Sequence, residues 1–471
     1  MAQRTNRRRF IQTTAAVGTG YWVAGGVSPR ESRAAIDEVS FACIGVGGKG
    51  SSDSDDAGRN GNVVAICDVD DRNLGNAAIK WPDAKKYNDY RKMLEQMGKS
   101  IDAVTVSIPD HSHAPAAALS LKMGKATFTQ KPLTKSIHEA RVLGEMAAAA
   151  KVATQMGNQG TANSTLRRSA ALIQAGAIGK VTEVHVWTNR PVWPQGLGQP
   201  TDTPPIPPYL KWDLFLGPAP ERPYHPAYHP FKWRGWWDFG TGALGDMACH
   251  TLNMSFMALN LRDPTSVVAE TTGHNKETYP ASSQIVFEFP KIGDRDAVKM
   301  IWYDGGNKPP AELLPTREQM VGEDGKPLIA EDNQYRNVLN TGALVVGDKG
   351  SLLSPADYGS DSRHTGIWAD GEYRVQTGIK DPDVEFDVSP GHFKEWVAAI
   401  KSGGQSVSNF PNYAGPLTET ILLGNLAVWA DGKKIEWDAK NLVATNAPEV
   451  AHIVKPEYRD GYTLDWKLEA T

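Results

Sequence analysis

Asp246, His250 and Asn253 stand at i, i+4 and i+7 in a run from Ala243 to Leu259 that otherwise favours an apolar helix. That spacing puts all three on one helix face. An imidazole with an ordinary pKa of about 6.5 exchanges protons at neutral pH. A carboxylate one turn away can orient it or bind a hydroxyl. Leu244, Met247, Leu252, Phe256 and Leu259 surround the stripe, and burying polar groups without partners is costly. Two arrangements answer that cost: a histidine satisfied by its own helix neighbour, or a stripe facing an occupied cleft. A metal site is disfavoured, because no third ligand lies at a recognisable spacing from Asp246 and His250. Just upstream, Trp233-Arg234-Gly235-Trp236-Trp237-Asp238 combines flat aromatic faces with charged groups. Arg234, Trp236, Trp237 and Asp238 therefore suit a carbohydrate ligand, with core aromatics under a long loop as the equal alternative.

A second constellation lies nearer the start. Val39–Ile44 reads as a buried strand and runs straight into Gly45-Val46-Gly47-Gly48-Lys49-Gly50. Glycines at this spacing allow a tight turn, close approach of a pyrophosphate, and helix–strand packing. The phosphates would sit at the positive end of the next helix. Asp68 ends a second strand, 62–67, at the distance where a carboxylate meets the adenosine ribose. That favours NAD over NADP, although Arg72 nearby carries the opposite sign; Asp70 and Asp71 read as a solvated turn. The strand 101–108 ends in Pro109-Asp110-His111-Ser112-His113. Pro109, Asp110 and His113 then border the cofactor, or Asp110 or Ser112 simply caps a helix. The strand 126–129 ends in Gln130-Lys131-Pro132, where Lys131 taken alone is a surface charge beside a proline. A strand over 152–156 closes this half.

The elements holding these residues fit an α/β chain of 471 residues, too long for one small core. A net charge of −4 gives no reason to expect nucleic acid, and three cysteines make no disulfide framework. Arg7-Arg8-Arg9-Phe10-Ile11, a mildly apolar stretch and Ala34-Ala35 form a twin-arginine export signal over residues 1–35. A periplasmic protein without a permanent membrane anchor is expected. A nucleotide domain over 36–160 and a substrate domain over 161–471 follow. In the latter, 181–187 alternates as a strand with one exposed face, and 193–230 is a long loop rich in Pro, Tyr and Trp. Strands over 284–289 and 298–303, a polar surface excursion over 307–333, and helices over 391–400 and 417–430 complete the reading.

The glycine run, Pro109-x-x-x-His113, Lys131-Pro132 and the Gly242-x-Leu244-x-Asp246-x-x-x-His250 run together resemble the glucose-fructose oxidoreductase / inositol dehydrogenase / rhizopine catabolism (Gfo/Idh/MocA) family. The resemblance covers nearly the whole chain after the leader. It implies a Rossmann domain, then an α/β domain with a large, mostly antiparallel open sheet, and a homo-oligomer. It implies bound NAD and a small carbohydrate substrate; export by the leader, away from free NAD, implies that the coenzyme is held tightly. Lys131, Asp246 and His250 match the family's catalytic set. His250 would take a hydroxyl proton and Lys131 would steady the same oxygen. Asp246 would bind a neighbouring hydroxyl or hold the imidazole. Asn253 stands where the family often has Asp, and Gln130 where it has Glu. Some relatives run a redox-neutral glycosidase or lyase reaction through a transient keto-sugar, which stands as the alternative.

Overall fold

The computed structural model describes residues 38–322, 324–375 and 383–468. The twin-arginine leader expected over residues 1–35 lies outside the described residues. The first half alternates strand and helix: β1 (Val39–Ile44), α1 (Lys49–Asn60), β2 (Gly61–Cys67), α2 (Asp71–Lys80), β3 (Lys85–Tyr87), α3 (Tyr90–Met97), β4 (Ala103–Val106), α4 (His113–Lys122), β5 (Ala126–Thr129), α5 (Ile137–Ala150) and β6 (Thr154–Met156). All pairings are parallel, in the order β3-β2-β1-β4-β5-β6. The order reverses between β1 and β4, and ligands of such sheets bind beyond the strand ends at that switch. β1 and β4 are almost wholly buried, as strands covered on both faces must be.

The second half adds α6 (Ser164–Gln174), β7 (Val181–Trp187), α7 (Trp212–Leu216), α8 (Gly242–Thr251), α9 (Asn253–Leu259), β8 (Ser266–Thr271), β9 (Ser283–Phe289) and β10 (Val298–Tyr303). After these come α10 (Asp332–Val338), β11 (Gly342–Gly347), β12 (Gly350–Pro355), β13 (Gly366–Ala369), β14 (Glu372–Val375), α11 (His392–Ser402), α12 (Gly415–Trp429), β15 (Ile435–Asp438) and β16 (Val443–Ala444). Its ten-stranded sheet runs β14-β13-β12-β11-β7-β10-β9-β8-β15-β16. Among the described residues of this sheet, only β7 and β10 pair parallel; every other pairing is antiparallel. One face, with Val184, Val186 and Phe287, packs on α6, α8 and α12. The other carries Trp187, Ile301, Tyr303 and Leu344.

Three expectations change here. The polar stretch 307–333 is more than a surface excursion, because Met320 and Ile329 are buried against that second face. β7 is consequently buried over most of its length, without a fully exposed face. The first sheet also draws on the far end of the chain. Phe393 and Trp396 of α11 pack on Phe41 and Phe128, with ring centroids 5.4 to 5.9 Å apart. The boundary near residue 160 thus divides two sheets, while the nucleotide layer is completed by residues beyond 390. No helix of the described residues is long and apolar enough to cross a membrane.

Candidate active site

The turn after β1 is shaped by close approaches. Gly45 has φ 79°, and a Cβ there would stand 2.2 Å from the Ser107 carbonyl oxygen. A Cβ on Gly50 would stand 2.2 Å from the Gly45 carbonyl oxygen. No side chain fits either place, so α1 starts hard against the strand end and the backbone lies open above it. The Val46 N–H donates to Asp68 Oδ2 at 3.1 Å, and the Asp70 N–H donates to Oδ1 at 2.9 Å. Burial raises the Asp68 carboxyl above its ordinary value, against those bonds and one from Asn73. The Arg72 guanidinium holds Asp70 at 2.7 Å and lies 3.6 Å over the Tyr209 ring. Asp70 is thus a buried cap of α2, not part of a solvated turn.

A cleft of about 680 Å³ opens above this turn. Gly45, Gly47, Gly48, Asp68, Pro109, Asp110, Gln130, Lys131, Arg234, Asp246 and His250 all line it. Residues as distant in sequence as Gly45 and His250 are therefore brought to one cavity, and the Asp246–His250 stripe faces it. Val46 and Gly50 lie beneath its wall as scaffold. His113 also stands back: its ring nitrogens lie 2.8 Å from the Pro132 oxygen and 2.7 Å from the Ile108 oxygen. It ties the turn after β4 to the Lys131–Pro132 segment and does not line the cleft.

At the inner end, Lys131 Nζ donates to Asp246 Oδ1 at 2.6 Å and to the Asp246 carbonyl at 2.9 Å. Arg234 Nε lies 3.1 Å from the same Oδ1, and Arg234 also pairs with Asp110 at 3.2 Å. Thr241 Oγ1 donates to Asp110 Oδ2 at 2.6 Å. Burial opposes the Asp246 charge, but Arg234 and Lys131 overcome it and hold the carboxyl well below its ordinary range. Asp246 therefore clamps the amine, and makes no hydrogen bond to His250. The imidazole of His250 is 3 % exposed, its Nδ1 has no partner among the described residues, and Tyr358 meets it edge-on at 4.6 Å. Burial first, then Lys131, pushes its pKa well down. Both influences favour the neutral imidazole.

The remaining sequence candidates sit elsewhere. Trp236 is 1 % exposed, donates its indole N–H to Ala227 and packs edge-on against Tyr228. Trp237 stacks on Tyr279 at 3.8 Å, and Asp238 pairs with Arg222 at 2.7 Å. None of the three lines the cleft, so the core-aromatic alternative describes the two tryptophans. Asn253 begins α9 because the predicted single helix breaks at Leu252. Its side chain is buried between Thr161 and the Tyr413 hydroxyl, at 2.9 and 2.5 Å. The cleft instead takes Phe231, Trp233, Arg190 and Tyr358, from loops with no periodic signal. Only the Trp233–Arg234 adjacency, 4.3 Å from guanidinium to ring, had a trace in sequence. The 193–230 loop folds over the coenzyme groove. The Asp71 N–H donates to Tyr209 and the Lys211 N–H to Val69, both at 2.9 Å. Leu214, Phe215, His229 and Pro230 form the roof.

Fold and cleft together define a dinucleotide-dependent protein of the two-sheet oxidoreductase type. Residues 39–158 match the oxidoreductase family, NAD-binding Rossmann fold (GFO_IDH_MocA), and residues 167–308 match its C-terminal alpha/beta domain. The chain belongs to the Gfo/Idh/MocA oxidoreductase family, and its first domain binds NAD. It is 26% identical over 215 residues to inositol 2-dehydrogenase of Salmonella typhimurium, covering 45% of this chain and 56% of that protein. The chain thus spans about half the length of the curated relatives it matches. Its fold is similar to the WlbA dehydrogenase from Bordetella pertussis, solved with NADH and UDP-GlcNAcA (14% identity, TM-score 0.55, 85% of this chain and 99% of that chain). It is also similar to aldose-aldose oxidoreductase from Caulobacter crescentus (12% identity, TM-score 0.54, 85% and 99%).

Proposed function

We propose that this protein oxidises an alcohol carbon of a sugar, polyol or sugar derivative. The observation that carries the reading is the meeting of a clamped amine and a neutral imidazole on the wall of the NAD cleft. NAD, held by the glycine turn and by Asp68 at the adenosine ribose, supplies the hydride acceptor. His250 takes the hydroxyl proton. Lys131 donates a hydrogen bond to that oxygen and stabilises its developing charge. Asp246 and Arg234 keep the amine from swinging away, and the roof over 209–231 excludes water. A panel of sugars and polyols incubated with NAD tests the reading. Formation of reduced coenzyme with one class is expected; neither oxidation nor conversion of any sugar would remove the proposal.

A redox-neutral glycosidase or lyase is the second reading, favoured by the roof that bonds to the segment following β2 and by the twin-arginine leader. An exported enzyme far from free NAD gains from returning the hydride within one site. Sugar product without net reduced coenzyme, with exchange of a substrate C–H label, would select it. Periplasmic location rests on the leader alone. A reporter fusion whose export fails in Arg7→Lys/Arg8→Lys tests it.

A further inference from the structure

We propose that Asp53 and Gln130 form a positioning pair that sets Lys131 in register with the glycine turn, Asp53 carrying the charge that a glutamate before the lysine would otherwise carry. Asp53 is 2 % exposed and points from α1 back into the sheet. Its Oδ2 accepts from Gln130 Nε2 at 2.8 Å and from Ser107 Oγ at 2.7 Å, and its Oδ1 from Lys49 Nζ at 2.5 Å. Those donors come from α1 and from the residues following β4 and β5. One carboxylate thus joins the helix that receives the coenzyme phosphates to the residue preceding the amine.

Gln130 is held from both sides. Its amide meets Asp53, and a Cβ on Gly157 would stand 2.6 Å from its Cδ, so Gly157 must stay bare for it. Its backbone N–H donates to the Val106 oxygen at 2.9 Å. Lys131 leaves this fixed point and reaches Asp246, not residue 130. Residue 130 therefore acts through position and not through the charge of the lysine. The pair is also exclusive. A buried carboxylate needs donors, and a glutamate in place of Gln130 would put a second carboxylate where the first expects an N–H. Two carboxylates at that distance cannot both ionise and must share a proton.

The pair's effect on catalysis rests on the reading of Lys131 given above; its effect on the coenzyme does not. The test uses the full chain and NADH as probe, in wild type, Gln130→Glu, Asp53→Asn and the double variant. Wild-type NADH affinity, read by fluorescence titration, should change less than about threefold between about pH 5.5 and pH 8.5. Gln130→Glu should lose about tenfold or more across that range, as the shared proton leaves. Asp53→Asn/Gln130→Glu should return to within about threefold of wild type, because the amide introduced on α1 can donate to the carboxylate introduced after β5. The bond is the same one with its donor and acceptor exchanged. If Gln130→Glu does not fold, recovery of folded, NADH-binding protein in the double variant carries the test. A Gln130→Glu protein that follows wild type at both pH values, or a double variant no better than the single one, overturns the pair. With a substrate in hand, kcat of Gln130→Glu should fall with pH alongside affinity and recover in the double variant. Near-normal turnover in a Lys131 variant would remove the catalytic assignment while leaving the NADH result standing.

Discussion

Replacing Lys131 by Met separates the chemistry of the amine from its place in the fold. Met keeps the unbranched stem and removes the three N–H donors. Loss of one positioned donor to a developing oxyanion costs about 2.7–4 kcal/mol, or about 10²–10³ in kcat. Removing one partner of a buried ion pair can cost about 3–5 kcal/mol when it strands the other charge. Here Asp246 is not stranded, because Arg234 Nε stays 3.1 Å from Oδ1. The stability loss should then be about 1.5–3 kcal/mol, the range for a charged hydrogen bond. In domains of 150–250 residues each kcal/mol moves Tm by about 2–4 °C, and less in a longer chain, so a drop of a few degrees is expected. NADH affinity should stay within about threefold, since the glycine turn and Asp68 are untouched. The assays are NADH titration, a thermal melt, and turnover on whichever substrate the sugar panel returns. Turnover within about tenfold of wild type, with coenzyme bound and the melt intact, would refute the role of the amine.

Gly50→Ala should abolish NADH binding, because its Cβ would meet the Gly45 carbonyl at 2.2 Å and displace α1; a titration against wild type reads this. Trp236→Ala should cost about 3–5 kcal/mol of stability as a large buried side chain, while the folded fraction keeps its substrate KM; a raised KM would return Trp236 to the site. Acid should destabilise the fold. His111 and His392 titrate at about 4 in the folded chain, against about 6.5 unfolded. Protonation therefore favours the unfolded chain, and stability present above about pH 6.5 is lost as pH falls toward about 4. The loss is about 3 kcal/mol per histidine at about 1.4 kcal/mol per pH unit. Denaturant melts across that window should show it, and His111→Gln should flatten part of it.

The strand ends were easiest to read from sequence because burial on both faces leaves unbroken apolar runs that stop at glycine or a polar turn. β1 begins and ends where its run does, and β5 and β7, which alternate instead, also keep the bounds read from sequence. Asp246 and His250 stood out because they share a regular helix stripe, whereas Lys131 stood out only through the family resemblance, since alone it reads as a surface charge beside a proline. The tryptophans misled for a physical reason: an aromatic beside a charge reads alike whether it faces a ligand or a loop. Nothing local distinguishes Trp233, over Arg234 in the cleft, from Trp236 inside the loop's own core. Asn253 fell out of the stripe because one residue, Leu252, ends the helix. Tyr358 and Asp53 act across separations that no single-chain pattern reports. The Asp53 contact with Gln130 spans 77 positions.

The packing of α11 on Phe41 and Phe128 sets a timetable for synthesis. A ribosome makes β1 and β5 long before His392–Ser402, so the aromatic face of the first sheet waits uncovered while more than half of the chain is still being translated. The coenzyme-binding layer therefore gains its full aromatic cover only after α11 has been made.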